Sequence, residues 1–463
     1  MNVGDYAQKL LAELRATPTR PLHAVDEHPA LSWARSGLMT LTGNADGPPL
    51  LCPVPLGTAA DGALAALAAL APAGVFDDLR GSALLTERAV LNAHQRRGNI
   101  SPGGACRIFR TVDGAVALNL ARDDDWALLP ALFEVDTVTD EDALAALLAK
   151  STMHDSVERG RLLGLPICPV VPPPSRPTPW LQTSFPLSPC GRGFLAQART
   201  DSTSVRAKPR TGEGAAPVVV DLSSLWAGPL CSHLLQRCGA NVIKVESETR
   251  PDGARRGSAA FYDLLNAGKR SVALDLTSSQ RRAQLRALLL RADIVIEASR
   301  PRALRQMGID ADELLRERPG LTWISLTGYG RAQPQANWLA YGDDAGVAAG
   351  LSWLMQKVTG EAAFVGDAIA DPITGIHAAL AAWASWRAGG SRMIALALVD
   401  VLRHVIAYEA PVDADGWRVR HADWTRIATE AGIRSTAARA ASGTAAALGA
   451  DTAAVLSEFA IPC

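Results

Sequence analysis

Between residues 218 and 326 the chain alternates short apolar runs with amphipathic stretches, and few folds accept that order. The runs 218–222, 241–246, 271–276, 293–297 and 321–326 are each four to six residues long and rich in Val, Ile and Leu. Runs of that length and composition read as buried strands. Segments 226–238 and 280–291 between them have helical spacing, and Gly239 supplies a stop signal for the first. Strands separated by helices imply right-handed βαβ crossovers and a parallel sheet wound on both faces. A further run at 393–401 is expected to add a late strand. In such a sheet ligands bind in the crevice beyond the carboxyl ends of the strands. The first strand–helix turn reads Asp221-Leu222-Ser223-Ser224-Leu225-Trp226-Ala227-Gly228-Pro229, without GxGxxG and without a P-loop. A nicotinamide-dependent reductase is therefore a poor match.

The first 170 residues follow a different pattern. A helix is expected from Asp5 to Arg15, with Leu10, Leu11 and Leu14 as its apolar stripe, and an Ala/Leu helix at 64–70. Runs 106–111 and 115–120 flank Val112-Asp113-Gly114 and predict a hairpin. Helices are expected at 141–149 and 157–163. Residues 171–215 are rich in Pro, Ser, Thr and Arg, lack a sustained period, and read as a linker. The predicted fold is thus α/β: a doubly wound, Rossmann-like, mostly parallel sheet domain at 216–463, and a smaller α+β part at 1–170.

Hydrophobic residues make up 48% and charged residues 20%, with a net charge of −1, so no basic face for nucleic acid is expected. Arginine far outnumbers lysine, which weakens any single Arg as a functional signal. The longest apolar run, 62–76, is too short and too rich in Ala and Pro to span a bilayer, and no membrane association is expected. The first twenty residues carry no signal-peptide core. Seven Cys without CxxC spacing suit reduced thiols and a cytoplasmic location. No metal-ligand spacing and no HExxH occur.

One internal repeat spans both parts. At a constant offset of 313 residues, Gly37 and Leu38 fall on Gly350 and Leu351, Gly62 on Gly375, and Ala65, Ala66 and Leu67 on Ala378, Ala379 and Leu380. Even spacing over 34 residues without a gap argues for duplication. Thr58 stands in the first copy where the second has Asp371.

Several segments together resemble the family III CoA-transferases of the CaiB/BaiF type. They are VVVDLSSLWAGPLCSHLLQRCGANVIKVES at 218–247, FYDLLNAGKRSVALDL at 261–276, ADIVIEASRPRALRQMGID at 292–310, ISLTGYG at 324–330 and GDAIADPITG at 366–375. They keep the family's order. SGLMTLTG at 36–43, CRIFRTVDGAVALNL at 106–120 and GLPICPV at 164–170 are similar to later parts of the family, including its small domain. LGADTAAVLSEFAI at 448–461 resembles its C-terminal helix. Small-domain material therefore precedes the large domain here.

The resemblance implies a CoA-transferase whose Asp371 attacks an acyl-CoA thioester to give an acyl-aspartyl anhydride. The implied ligands are acyl-CoA and a small carboxylic acid, with coenzyme A as part of the substrate and no covalently bound cofactor. It also implies a homodimer of the interlocked kind, an arrangement that a permuted and partly duplicated chain could instead pack in part within one polypeptide. Leu225, Trp226 and Ala227 match the family's CoA pocket, Leu274 an adenine-contacting position, Arg300 a basic position near the phosphates with Arg305 one turn on, and Tyr329 an aromatic turn. Local sequence offers a second role for most of these residues. Asp371 before Pro372 suits a helix N-cap, Asp367 is a competing carboxylate, Trp226 and Leu274 suit core positions, and Arg300, Lys269 and Arg270 suit a solvated face. His377 reads as packing, and no His lies where the family's racemases carry one, so α-proton exchange is disfavoured. The alternative function is a catalytically degraded relative that binds CoA or a partner chain.

Overall fold

A computed structural model describes residues 2–122, 124–185, 216–434 and 436–462. Strands β1 (Cys106–Arg110), β2 (Ala115–Asn119) and β3 (Ile167–Pro169) form a small antiparallel sheet. The predicted hairpin is present, with the Thr111 N–H donating to the Gly114 carbonyl across its turn at 2.9 Å.

The larger sheet contains β4 (Gln182–Ser184), β5 (Val218–Asp221), β6 (Asn241–Ser247), β7 (Arg270–Leu274), β8 (Ile294–Glu297), β9 (Thr322–Thr327) and β10 (Arg392–Ala397). Its order is β4-β10-β9-β8-β5-β6-β7; β4 is antiparallel to β10 and the other pairs are parallel. Numbered along the chain, the parallel strands run third, second, first, fourth, fifth, sixth, which is the doubly wound Rossmann order. The chain reverses direction across the sheet between β5 and β8, so the crevice opens at their carboxyl ends, beyond Asp221 and Glu297.

Alternate residues of these strands enter opposite cores, as the two-residue period requires. Val219, Ile294, Ile296 and Ile324 join one apolar cluster. Val218, Val220, Val295 and Trp323 join the other. The first cluster also holds Tyr6, Leu10, Trp33, Leu56 and Leu67. The N-terminal part is thus packed into the same core as one face of the large sheet.

Two helix pairs in that core are built alike. Helix Ala370–Arg387 crosses helix Ala227–Arg237 at Gly375, where a Cβ would lie 2.6 Å from the Ala227 carbonyl oxygen and 3.2 Å from Leu230 Cβ. Helix Leu56–Leu70 crosses helix Val3–Leu14 at Gly62, where a Cβ would lie 3.0 Å from the Val3 carbonyl oxygen and 3.2 Å from Tyr6 Cβ. Gly37 and Gly350, also paired by the repeat, have φ of 81° and 108° and each precedes a short helical segment, Leu38–Leu41 and Leu351–Thr359. Tyr6 OH donates to His377 Nε2 at 2.9 Å while His377 Nδ1 faces the Ile373 carbonyl at 2.8 Å. One nitrogen donates and the other accepts, so His377 is a satisfied, neutral packing group, and burial pulls its pKa down to about 3.

Two expectations are corrected. The run 393–401 is strand only to Ala397; Leu398–Ala407 is helix, burying Leu398, Val401, Leu402 and Val405 at helical spacing. The stretch 171–185, expected as linker throughout, is mostly exposed but is anchored at two points. Trp180 is 2% exposed and its Nε1 donates to Glu13 at 2.7 Å, while Gln182–Ser184 pairs with Met393–Ala395. Its proline content concealed a single short edge strand, the place in a sheet where such sequence is tolerated. The rest of the predicted linker lies outside the described residues.

Candidate active site

Helix Ala370–Arg387 begins after a tight loop in which Gly366 and Ala368 take φ of 68° and 45°. Ile369 occupies the N-cap position without a side-chain bond, and the Asp371 N–H reaches back to the Ala368 carbonyl at 2.9 Å. Asp371 is the second helical residue and so does not cap this helix; that expectation is corrected, and its carboxylate is left for other donors. The backbones of Gly342 and Ala227 lie beside it and favour its charged form. Each is the first residue of its own helix, Gly342–Ala349 and Ala227–Arg237. First-turn N–H groups have no partner within their helix and carry its positive dipole end. Three helix N-termini therefore converge on one carboxylate. Asp371 keeps some solvent contact, yet burial is the main influence on its pKa, raising it to about 7; Arg88 pulls it down and Asp343 adds to the rise.

Two more carboxylates adjoin it. Asp343 accepts the Ala368 N–H at 2.8 Å; burial and then the charge of Asp367 raise its pKa to about 6, while Arg88, Ala368 and Ser101 pull it down. Asp367 is fully buried; its Oδ2 meets His94 Nδ1 at 3.2 Å, and its Oδ1, without a hydrogen bond, lies 3.5 Å from Arg88 Nη1. Arg88 rests over the Trp226 ring at 5.9 Å. Arg88, His94 and Ser101 come from the N-terminal part, so one site draws on both. Asp344, next along, accepts from the Tyr341 N–H at 2.9 Å and Asn119 Nδ2 at 3.1 Å, and burial raises it to about 7. It supports the small sheet's contact with this helix.

The crevice turn is braced from below. Asp221 accepts from the Ser223 N–H at 2.9 Å, and Asp252 accepts the Leu225 N–H at 3.0 Å and pairs with buried Lys244 at 2.9 Å. Lys269 was expected at a solvated face and is instead buried. It donates to Pro229 O, Ser232 Oγ and Asn266 Oδ1 and lies 3.5 Å from Asp221. Burial lowers Lys269 to about 8, against the pull of Asp221. This bracing holds Leu225 at φ 69° with its side chain 41% exposed at the crevice. A non-glycine residue in that region costs on the order of 1–3 kcal/mol and persists only where its surroundings fix it.

The other sequence-derived candidates are spread along the crevice and beyond it. Trp226 is 2% exposed and packs edge-on to Phe261, with Arg88 above. Ala227 is buried, and its backbone favours the charged form of Asp371. Leu274 is a fully buried core residue of β7. Arg300 is half-buried, and its pKa is lowered by burial and by the charges of Arg302, Arg122 and Arg250. Arg300 thus feels three other guanidinium charges, of which Arg122 is itself paired with Asp125. Arg305 is turned to Asp310 and Asp312, at 3.2 and 3.7 Å. Tyr329 sits beside Arg161 and Trp338. Thr58 is 1% exposed and its Oγ1 has no hydrogen bond. Sequence reasoning missed Arg88, His94 and Ser101. The one signal near them was Pro102-Gly103-Gly104; a Cβ at Gly103 would lie 2.6 Å from Arg88 Nη2.

A family model described as CoA-transferase family III matches residues 217–456. Among curated proteins, the chain is similar to a succinate–glutarate CoA-transferase of Agrobacterium fabrum, 32% identical over 206 residues, covering 41% of this chain and 52% of that one. It is also similar to a succinyl-CoA–D-citramalate CoA-transferase of Chloroflexus aurantiacus, 29% identical over 171 residues, 35% of this chain and 42% of that one. A crystal structure of a CAIB/BAIF family protein from Brucella suis aligns with a TM-score of 0.37 at 31% identity, covering 41% of this chain and 54% of that one. The chain spans about half the length, or less, of these relatives.

Proposed function

The chain belongs to family III of the CoA-transferases, and from that premise we propose that it moves CoA between an acyl-CoA and a carboxylic acid, with Asp371 as the nucleophile. The observation that carries the proposal is the Asp371 carboxylate at the meeting point of two helix N-termini, beside the crevice of a doubly wound sheet.

A carboxylate needs no base to become a nucleophile. It attacks the thioester carbonyl; the C–S bond breaks and CoA leaves as thiolate, giving an acyl-aspartyl anhydride. For CoA to move, the thiolate attacks the Asp371 side of that anhydride, expelling the donor acid and leaving an aspartyl thioester. The acceptor carboxylate attacks this thioester, CoA leaves again, and the thiolate then takes the acceptor's acyl group, restoring Asp371. Every step builds negative charge on an oxygen near Asp371. The Gly342 and Ala227 N–H groups, fixed beforehand, suit its stabilisation. The raised pKa marks a more basic and hence stronger nucleophile, still substantially ionised near neutral pH.

The CoA arm fits the crevice past Leu225 and Trp226, with its phosphates toward Arg250, Arg300 and Arg302; guanidinium groups suit phosphate by charge-assisted bonds. Leu274 is closed in the core, Arg305 is paired with Asp310 and Asp312, and Tyr329 is engaged with Arg161 and Trp338, so the proposed contacts are carried by the other residues. The matched helix pairs support reading 37–70 as a degenerate copy of the catalytic segment, in which Thr58 replaces the nucleophile. Each chain then has one working site. We also propose that a dimer forms around that intrachain packing, which light scattering after gel filtration measures.

The test is chromatographic. Protein is incubated with succinyl-CoA and a panel of carboxylic acids, and new acyl-CoA species are sought. Transfer that disappears in Asp371→Asn is the expected result. An Asp371→Asn variant that transfers as fast as the unaltered chain contradicts the assignment.

A further inference from the structure

Arg88 has no assigned work in the reaction described above, and its surroundings are unusual. Among the described residues it is the cation facing a group of three carboxylates, Asp343, Asp367 and Asp371. A structural arginine in that position would be expected to close a bidentate pair. Arg88 does not. Its approach to Asp367 is 3.5 Å, and Asp367 Oδ1 is left without a hydrogen bond. The opposite side of Asp367 is taken by His94. The guanidinium lies over the Trp226 ring, its side chain is 26% exposed, and Gly103 leaves room beside Nη2 that a Cβ would fill. The result is a cation held in place by stacking and by sterics, with donors still free, at the mouth of the crevice where Asp371 sits.

We infer that Arg88, supplied by the N-terminal part, docks the carboxylate of the acid that accepts CoA. The inference rests on the transferase reading above and names the group that receives its second substrate. The acceptor's carboxylate would accept hydrogen bonds from the free guanidinium nitrogens. That places one of its oxygens for attack on the Asp371 thioester carbonyl. The C–O bond forms, the C–S bond breaks and CoA leaves as thiolate. No proton is transferred in the step; the incoming carboxylate is the anion, Asp343 and Asp367 lie beside its path, and a fixed cation offsets their repulsion. The acyl-CoA donor enters as a neutral thioester and does not need this contact. Arg88 therefore acts on the two substrates unequally.

The experiment compares wild type, Arg88→Gln and Arg88→Lys, with folding checked by circular dichroism and melting. Two quantities are read: release of CoA thiol from acyl-CoA with hydroxylamine present, and the KM for acceptor acid in full transfer. Both are measured at pH 8.5 as well as pH 7, because Arg88 also helps keep Asp371 ionised alongside the opposing charges of Asp343 and Asp367. Removing a charge-assisted contact is expected to raise the acceptor KM of Arg88→Gln by about 10- to 100-fold. At pH 8.5 the rise in acceptor KM exceeds any change in thiol release or in the KM for acyl-CoA by at least about tenfold. Arg88→Lys recovers part of the loss, and added guanidinium ion rescues Arg88→Gln. An acceptor KM unchanged in folded Arg88→Gln, with thiol release intact, overturns the role of Arg88 and leaves the transferase reading standing. Absence of hydroxylamine-dependent thiol release in wild type overturns the transferase reading and this inference with it.

Discussion

Gly342 offers a direct perturbation of the nucleophile. A Cβ at this position would lie 2.3 Å from Asp371 Oδ2 and 2.3 Å from the Ala368 carbonyl oxygen. Neither partner is the loose end of a flexible side chain: the short carboxylate lies beside the Gly342 and Ala227 backbones, and Ala368 is itself hydrogen-bonded to Asp343. Restoring ordinary contact requires a displacement of roughly 1 Å, and a misplacement of that size costs on the order of 100-fold in rate where reacting groups must be aligned. Stability moves much less. The clash costs about 1–3 kcal/mol, and Ala in place of Gly at a helix position returns roughly 0.5–1 kcal/mol. Gly342→Ala should therefore melt within a few degrees of wild type while its rate of CoA release from acyl-CoA falls about 100-fold. Both are measurable on the same preparation, by differential scanning fluorimetry and a thiol assay. A folded variant with an unchanged rate would refute the placement of the carboxylate against Gly342.

Other predictions follow from the buried charges. The nucleophile is the ionised form of Asp371, raised to about 7, so kcat/KM should fall as pH drops through 7, and Arg88→Gln should move that limb to higher pH; a flat profile between pH 5 and 8 contradicts this. Asp344 is raised to about 7 against an ordinary value of 3.8, so the folded state binds more protons between those values and stability from this group declines as pH rises through the window. Asp344→Asn should stabilise the protein at pH 8, by on the order of 2–4 kcal/mol, and bring no gain at pH 4; urea unfolding at the two pH values distinguishes this from a uniform effect. Lys269→Met removes one of two buried cations from Asp221 and should cost about 3–5 kcal/mol, whereas a loss under about 1 kcal/mol in urea unfolding would mean that Lys244 alone satisfies Asp221.

The sheet was legible because its strands are buried on both faces. Val218-Val219-Val220 and Ile294-Val295-Ile296 are continuous apolar runs, which a parallel sheet covered by helices requires. The hairpin was legible through Asp113-Gly114. The run 393–401 misled because an apolar stretch that changes from strand to helix at Ala397 has no polar residue to mark the boundary until Asp400. Lys269 misled for a different reason. A lysine beside a strand looks solvated until its partners, Asp221, Ser232 and Asn266, are brought together by the βαβ turn, and those contacts span up to 48 residues. The same distance effect hid half of the candidate site. Asp371 stands in a recognisable segment, but Arg88 and Ser101 lie more than 240 residues before it in the chain. No local spacing connects them; only the joining of the two parts in one core does.

The central claim is that Asp371 becomes covalently acylated during turnover. The most direct measurement is mass spectrometry of protein incubated with acyl-CoA and quenched with hydroxylamine, which converts an aspartyl anhydride or thioester into a hydroxamate. The account predicts a hydroxamate on the peptide containing Asp371 and none on Asp343 or Asp367. A modification on either neighbour with Asp371 unmodified, or transfer activity with no adduct on any of the three, would contradict it.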